Sequence, residues 1–138
     1  MNFKQSVIWE GIEMIKFRAY DKHRKVMCDV LNINFDNEII HIKNPKTNEY
    51  WGRELKELNM LQFIGQNDSK GTKIYEGDII ETSENRWVVE SIGSKERDGQ
   101  IGIGASVNGD GENWPIDESI LSGTVIGNIF LNPELLEN

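Results

Sequence analysis

The sequence predicts a β-rich α+β protein made of antiparallel hairpins, with a small SH3-like barrel in the C-terminal part and a short C-terminal helix. Three observations carry this. Short stretches in which apolar and polar residues alternate recur along the chain, at the period of a half-buried strand. Clusters of Gly, Asn, Asp and Pro separate those stretches at turn positions. The closing "NPELLEN" places Asn132 where an N-cap sits and Pro133 at the first helical position.

Taken in order, residues 15 to 20, "IKFRAY", alternate strictly. Ile15, Phe17 and Ala19 face one side, and Lys16, Arg18 and Tyr20 the other. "DKHRK" is a polar turn into "VMCDVLNINF", and Asp36-Asn37 turns the chain into "EIIHI" as a second hairpin. "KNPKTNEYWG" reads as a loop from its Asn-Pro and Gly content. In "RELKELNML" the leucines at 55, 58 and 61 are three apart, which permits a short helix of marginal length. Strand patterns then resume in "MLQFI", "IYEGDIIET", "RWVVESI" and "TVIGNIF". The short strands and tight turns around "YEGDII" and "RWVVE" are what suit a small barrel. Residues 93 to 115 are rich in Gly and Asn, with a hairpin turn expected at Asn108-Gly109.

The expected division is an N-terminal β-rich part over 14–58 and a barrel part over 59–138, with a single compact domain as the alternative. Residues 1–13 read as an upstream extension. Back-translated with GAG for Glu10, "WEGIEM" contains GGGAGG just before the Met14 codon, the shape of a bacterial ribosome-binding site. Translation starting at Met14 is therefore expected.

At 138 residues, with 38% hydrophobic and 28% charged residues, the composition is that of a folded, water-soluble chain. No apolar run approaches the ~20 residues that span a bilayer, and the N-terminus lacks the pattern of a secretory signal. A cytoplasmic protein without a membrane partner is expected. The single Cys28 has no disulfide partner and no metal-ligand spacing, and reads as a small buried side chain.

The net charge of −8 is unevenly placed: residues 1–59 hold 10 Lys+Arg against 9 Asp+Glu, and residues 60–138 hold 5 against 14. An acidic C-terminal part repels a phosphate backbone. The exception is Lys16, Arg18, Lys22, His23, Arg24 and Lys25, interleaved with Phe17 and Tyr20, which could contact phosphate and stack a base. The plainer reading is a solvated strand edge and turn, where basic residues discourage aberrant strand pairing. Head-to-tail self-association of basic on acidic part is a third reading.

The stretch that most resembles chemistry is "FIGQNDSKGTKIYEGDI", residues 63–79. Gly65, Gly71, Thr72 and Lys73 imitate a phosphate loop, but the spacing is one residue too long and Thr and Lys are exchanged. A phosphate loop must also open a helix, and "TKIYEGDII" is strand-like. A calcium loop lacks its alternating oxygen ligands and closing glutamate. Asp68-Ser69-Lys70-Gly71 fits a turn in which Asp68 accepts backbone N–H bonds and Gly71 takes positive φ. Glu76 and Asp78, flanking Gly77, are the best-spaced carboxylates for acid–base work or Mg²⁺, and the competing reading is strand entry at Gly77-Asp78. "GIGAS" at 102–106 is no dinucleotide fingerprint. Trp51, Trp87 and Trp114 read as packing residues, with a binding face as the alternative.

Three segments, "MIKFRAYDK" at 14–22, "MLQFIGQNDSKGTKIYEGDII" at 60–80 and "VIGNIFLNPELL" at 125–136, together resemble the YopX-like proteins of bacteriophages and prophages. Family sequences commonly begin at the position of Met14. Where many relatives have "QYTG", this chain has Gln62-Phe63-Ile64-Gly65. Segments 23–59 and 91–122 carry none of the resemblance. It implies a phage-encoded, β-rich cytoplasmic protein, with no catalytic residue to carry over.

The expected function is a non-enzymatic accessory module, without a cofactor, that binds a host or phage protein and forms a homo-oligomer. Its acidic part would meet a basic partner surface. The alternatives are nucleic-acid binding through Lys16, Arg18, Tyr20, Lys22, Arg24 and Lys25 and, more distantly, a metal-dependent hydrolase at Glu76 and Asp78. Asp68, Gly71, Gly77 and Asp78 are expected to serve the turn structure.

Overall fold

A computed structural model describes residues 15–97, 100–109 and 112–137, and of residues 91–115 the backbone alone. The expected start at Met14 and extension over 1–13 lie outside the described residues. The chain divides into two units, one ending at Phe63 and one beginning at Ile64.

In the first unit the alternation at the start becomes β1 (Phe17–Asp21), with Ala19 and Asp21 buried. β2 (Val26–Asn34), β3 (Ile39–Lys43) and β4 (Tyr50–Glu54) follow as antiparallel hairpins, and β5 (Leu58–Asn67) returns to pair with β1. The strand order in this unit is β4-β3-β2-β1-β5, and β6 (Lys73–Tyr75) lies in the second unit, beyond the boundary at Phe63. The inward positions Ala19, Cys28, Ile40, Ile42 and Leu58 form the core, flanked by Val30, Ile33 and Trp51. Burying each of these isoleucines contributes about 1.5–3 kcal/mol.

The three hairpin turns are made alike. Asp21, Asn34 and Asn44 each accept, through the side-chain oxygen, the N–H two residues on, from His23, Asp36 and Lys46. Four residues after each comes a residue in the left-handed region: Lys25 at φ 57°, Glu38 at 58° and Asn48 at 64°. An Asp or Asn side chain that mimics a backbone turn is what starts the reversal.

Two expectations here are corrected. The loop expected over 43–52 ends at Glu49, and Tyr50–Glu54 is a strand whose residues alternate exposed and half-buried. The helix expected around the leucines shrinks to one 3-10 turn, Leu55–Glu57, in which Glu54 and Glu57 cap each other's backbone. Leu58 and Leu61 are buried along β5 instead.

The second unit contains β7 (Asp78–Glu81), β8 (Arg86–Arg97), β9 (Gln100–Gly109), β10 (Glu112–Pro115), the single-turn helix α1 (Glu118–Leu121) and β11 (Thr124–Asn128). Its sheet order is β10-β9-β8-β7-β11, all antiparallel. Ile74, Ile80, Val89 and Ile120 form its core, with Trp87 and Val125 packed against them. Asp117 starts α1 by accepting from Ile120 N at 3.1 Å.

This unit is β-rich and antiparallel as expected, but the strand order describes an open sheet rather than a closed SH3-like barrel. Among the described residues no pairing joins β10 to β11. The strands are also unequal in length. β8 and β9 pair from Ile92↔Ala105 to Arg97↔Gln100, beyond the reach of β7, which pairs β8 only at residues 86–88. "IYEGDIIET" is two strands, broken where Gly77 takes φ 85°. Asn108 and Gly109 are not a turn: they lie in β9, opposite Asn113 and Glu112. The closing helix is a 3-10 turn, Pro133–Leu136, and Asn132 makes no side-chain cap bond to it. Asn132 Oδ1 instead accepts from Asn128 N at 3.2 Å. Gly127 leaves room for this fold-back, since a Cβ there would sit 2.5 Å from that oxygen.

Candidate interaction surface

Asp21 is the organising residue of the basic turn. Fully buried, its Oδ1 accepts from His23 N and Arg24 N at 2.8 and 3.0 Å, and its Oδ2 accepts from Trp51 Nε1 and Arg53 Nε, each at 2.8 Å. Burial pushes this carboxyl up, but the bonds from Arg53, Arg24, Trp51 and His23 outweigh it and lower it from 3.8 to about 2. A buried anion with four donors is satisfied on all sides. It fixes the hairpin and the adjacent β4 strand together.

Three of the surrounding basic side chains, those of Arg24, His23 and Lys22, have acidic or carbonyl partners. Arg24 pairs with Glu49 and lies 3.9 Å above the Trp51 ring. His23 Nε2 is 3.3 Å from Glu57, and Lys22 Nζ donates to Lys56 O at 3.2 Å. Lys25 is exposed in its left-handed conformation, and its N–H donates to Asp21 O at 2.8 Å. Lys16 precedes β1 and is half-buried. Arg18 and Tyr20 occupy the β1 positions that alternate with Ala19 and Asp21, and Arg18 stands opposite Asp29. The six residues thus extend from the residue before β1, along that strand and into the turn, with Glu49 paired to Arg24 and Asp29 opposite Arg18.

In the stretch 63–79, Asp68 does for the second unit what Asp21 does for the first. Its Oδ1 accepts from Lys70 N and Thr72 N, both at 2.9 Å, and its Oδ2 accepts from Val125 N at 2.8 Å. Burial raises this carboxyl, but the three N–H bonds, with Lys70 nearby, lower it overall. Gly71 N donates to Asp68 O at 3.0 Å, and Gly71 sits at φ 82°. Ser69 Oγ donates to Gly123 O at 2.8 Å, so the turn is fastened to the entry of β11.

Glu76 and Gly77 occupy the connection between β6 and β7, so Glu76 and Asp78 do not lie two apart on one strand. Asp78 is buried and accepts from Tyr75 N at 2.8 Å. Gly77 N donates to Val89 O at 2.7 Å and Ile129 N donates to Gly77 O at 2.9 Å, tying three chain segments at one glycine. Trp87 packs in the core and donates from Nε1 to Thr82 Oγ1 at 3.1 Å. Burial, with Asp21 and Asp29 nearby, pushes the Cys28 thiol up to about 11, which keeps it protonated and inert. The Trp114 side chain lies outside the described residues.

Among the exposed apolar residues, sequence reasoning does not single out Phe35 or Leu31, and it names Leu55 only as a helix position. Phe35 is 84% exposed in the β2–β3 turn, and Leu55, 44% exposed, follows β4. Leu55 N donates to Glu38 O at 3.0 Å, which brings it beside that turn. Leu31, on the same strand as Asn34, is also exposed, where the β2–β3 register shifts between Val30 and Asn32. Exposed Asp36, Glu38 and Glu54 border this end of the sheet. The signal available in the sequence was Phe35 within "NINFDNE", an aromatic placed between turn-forming residues.

Antiparallel strands joined by turns whose Asp and Asn side chains bind backbone amides define the class: a small β protein with its buried aspartates committed to structure. The chain belongs to the family described as YopX protein, whose model matches residues 16–137. It is similar to the solved structure of protein EF1440 from Enterococcus faecalis, with 28% identity and a TM-score of 0.51, over 88% of this chain and 97% of that one. No curated protein matches it. Among the described residues no helix is long and apolar enough to cross a membrane.

Proposed function

We propose that this chain is a non-enzymatic interaction module, a phage or prophage accessory factor that docks on a host or phage protein in the bacterial cytoplasm. Exposure of Phe35 is the observation that carries the reading. An aromatic side chain held 84% exposed in an ordered turn forgoes the stabilisation of burial, about 1.5–3 kcal/mol, that a partner's pocket can supply. Leu55 and the bordering Asp36 and Glu38 point to a partner surface with an apolar pocket and a basic rim. Commitment of Asp21, Asp68 and Asp78 to backbone amides supports a non-catalytic role, because those carboxylates serve the turns.

The test is affinity purification from infected host cells with the wild-type chain and with Phe35→Ser plus Leu55→Ser as baits. A protein retained by the first and lost with the second is expected. An identical retained set for both baits counts against the proposal. Nucleic acid is the competing partner, and it is weakened by the pairing of Arg24 with Glu49 and of His23 with Glu57. Retardation of DNA or RNA that falls steeply with salt and disappears in Lys16→Ala with Arg18→Ala would restore it.

A further inference from the structure

We propose that β4 is the self-association edge of the protein, where two copies join antiparallel about a two-fold axis at Gly52. Among the described residues, β4 is the end of its sheet, paired on one side with β3. The bonds bounding this hairpin fix which backbone groups point outward. Asn44 N donates to Glu49 O and Leu55 N donates to Glu38 O, at the two ends of the same register. Because antiparallel bonding alternates, residues 49, 51, 53 and 55 face β3. The N–H and C=O groups of Tyr50, Gly52 and Glu54 therefore face away from it. Glu54 N is taken by Glu57 Oε2 at 2.9 Å, which blunts one end of the edge.

A second copy of the strand is self-complementary to this edge. A two-fold perpendicular to the sheet keeps each face on its own side, so the axis must pass through a residue pair. Centring it on Gly52 overlaps all five residues of β4. It sets Tyr50 opposite Glu54 of the other copy, and Trp51 opposite Arg53. An aromatic–cation pair thus occurs on each side of the axis. Centring on Arg53 would oppose two guanidinium groups, and centring on Trp51 would overlap only three residues. In the Gly52 register the outward groups of Gly52 meet their own copies, and Tyr50 N meets Glu54 O, giving four backbone bonds with Glu57 left in place. Gly52 puts no side chain on the exposed face at the axis, as close backbone approach favours.

Substitutions at Gly52 test this in the full chain. A Cβ there would lie 3.4 Å from His41 Nε2 and from Ile39 Cγ2, contacts that small shifts absorb. Gly52→Cys is expected to form a disulfide-linked dimer under mild oxidation. Asp36→Cys, exposed in the turn, should cross-link far more slowly, and native Cys28 is buried. Gly52→Lys places two ammonium groups face to face at the axis and should weaken the dimer by at least about tenfold in sedimentation, with an unchanged circular dichroism spectrum. A wild-type chain that stays monomeric across the micromolar range overturns the proposal, whatever else covers the edge. So does Gly52→Cys that cross-links no faster than Asp36→Cys, or a dimer that Gly52→Lys leaves intact.

Discussion

Asp21 illustrates how one buried charge can define a turn. Its burial would be costly in isolation, yet four donors from a hairpin turn and from β4 converge on it. Removing it leaves Trp51 Nε1 and Arg53 Nε without their acceptor, and an arginine without its counter-charge is the larger penalty. Asp21→Ala should therefore lower unfolding stability by about 3 kcal/mol in a denaturant titration. Asp29→Ala, exposed in β2, is the control and should change it by no more than about 0.5 kcal/mol. Equal losses in the two variants would refute the role given to Asp21. In the sequence this residue reads as the start of a polar turn, just after the alternating strand. Its inward position, two after Ala19, follows the strand period, but the donors that make a buried carboxylate tolerable come from 30 and 32 residues away. Pattern reading within a short window does not reach that far.

At the scale of elements, strand and turn identity was legible wherever the signal was local. The alternation of "IKFRAY", the Asp36-Asn37 reversal and the "NDSKG" turn are all short-range chemistry. β4 was missed because Asn-Pro and Gly around it outweighed the alternation of Tyr50 to Glu54. The barrel was over-read, since closure depends on which distant edges pair. The turn at 68–72 separates two causes that sequence alone confounds. Gly71 sits at φ 82° with nothing within 4 Å of where a Cβ would stand, so its requirement is conformational and not steric. Gly71→Val should cost about 2 kcal/mol, while Gly71→Asn, which tolerates the left-handed region, should cost well under about 1 kcal/mol. Thermal unfolding of both variants checks this. Equal losses would mean that space, not backbone conformation, demands the glycine. Gly123 is the opposite case, because a Cβ there would meet Glu81 O at 2.3 Å.

Across the whole molecule, the two units share a dependence on ionised aspartates, and this sets the response to acid. Asp21 in the first unit and Asp68 in the second both have carboxyls lowered in the folded state. A group lowered on folding contributes its stability above its unfolded value and loses it as the pH falls through the folded one. For Asp21 the window runs from its ordinary 3.8 down to about 2. The gap corresponds to about 2 kcal/mol, fully present at neutral pH and withdrawn progressively on acidification. Net self-repulsion also grows as the chain becomes cationic below its pI of about 4.8, so acid lability alone does not identify the cause. Asn substitutions separate the two. In Asp21→Asn the fall in stability between pH 4 and 2 should be shallower than in wild type, while the repulsion remains. Added salt should reduce the repulsive part in both chains and leave the difference between them, because Asp21 is buried and weakly screened. Parallel stability–pH curves for the two chains would show that the Asp21 bonds are not what acid removes.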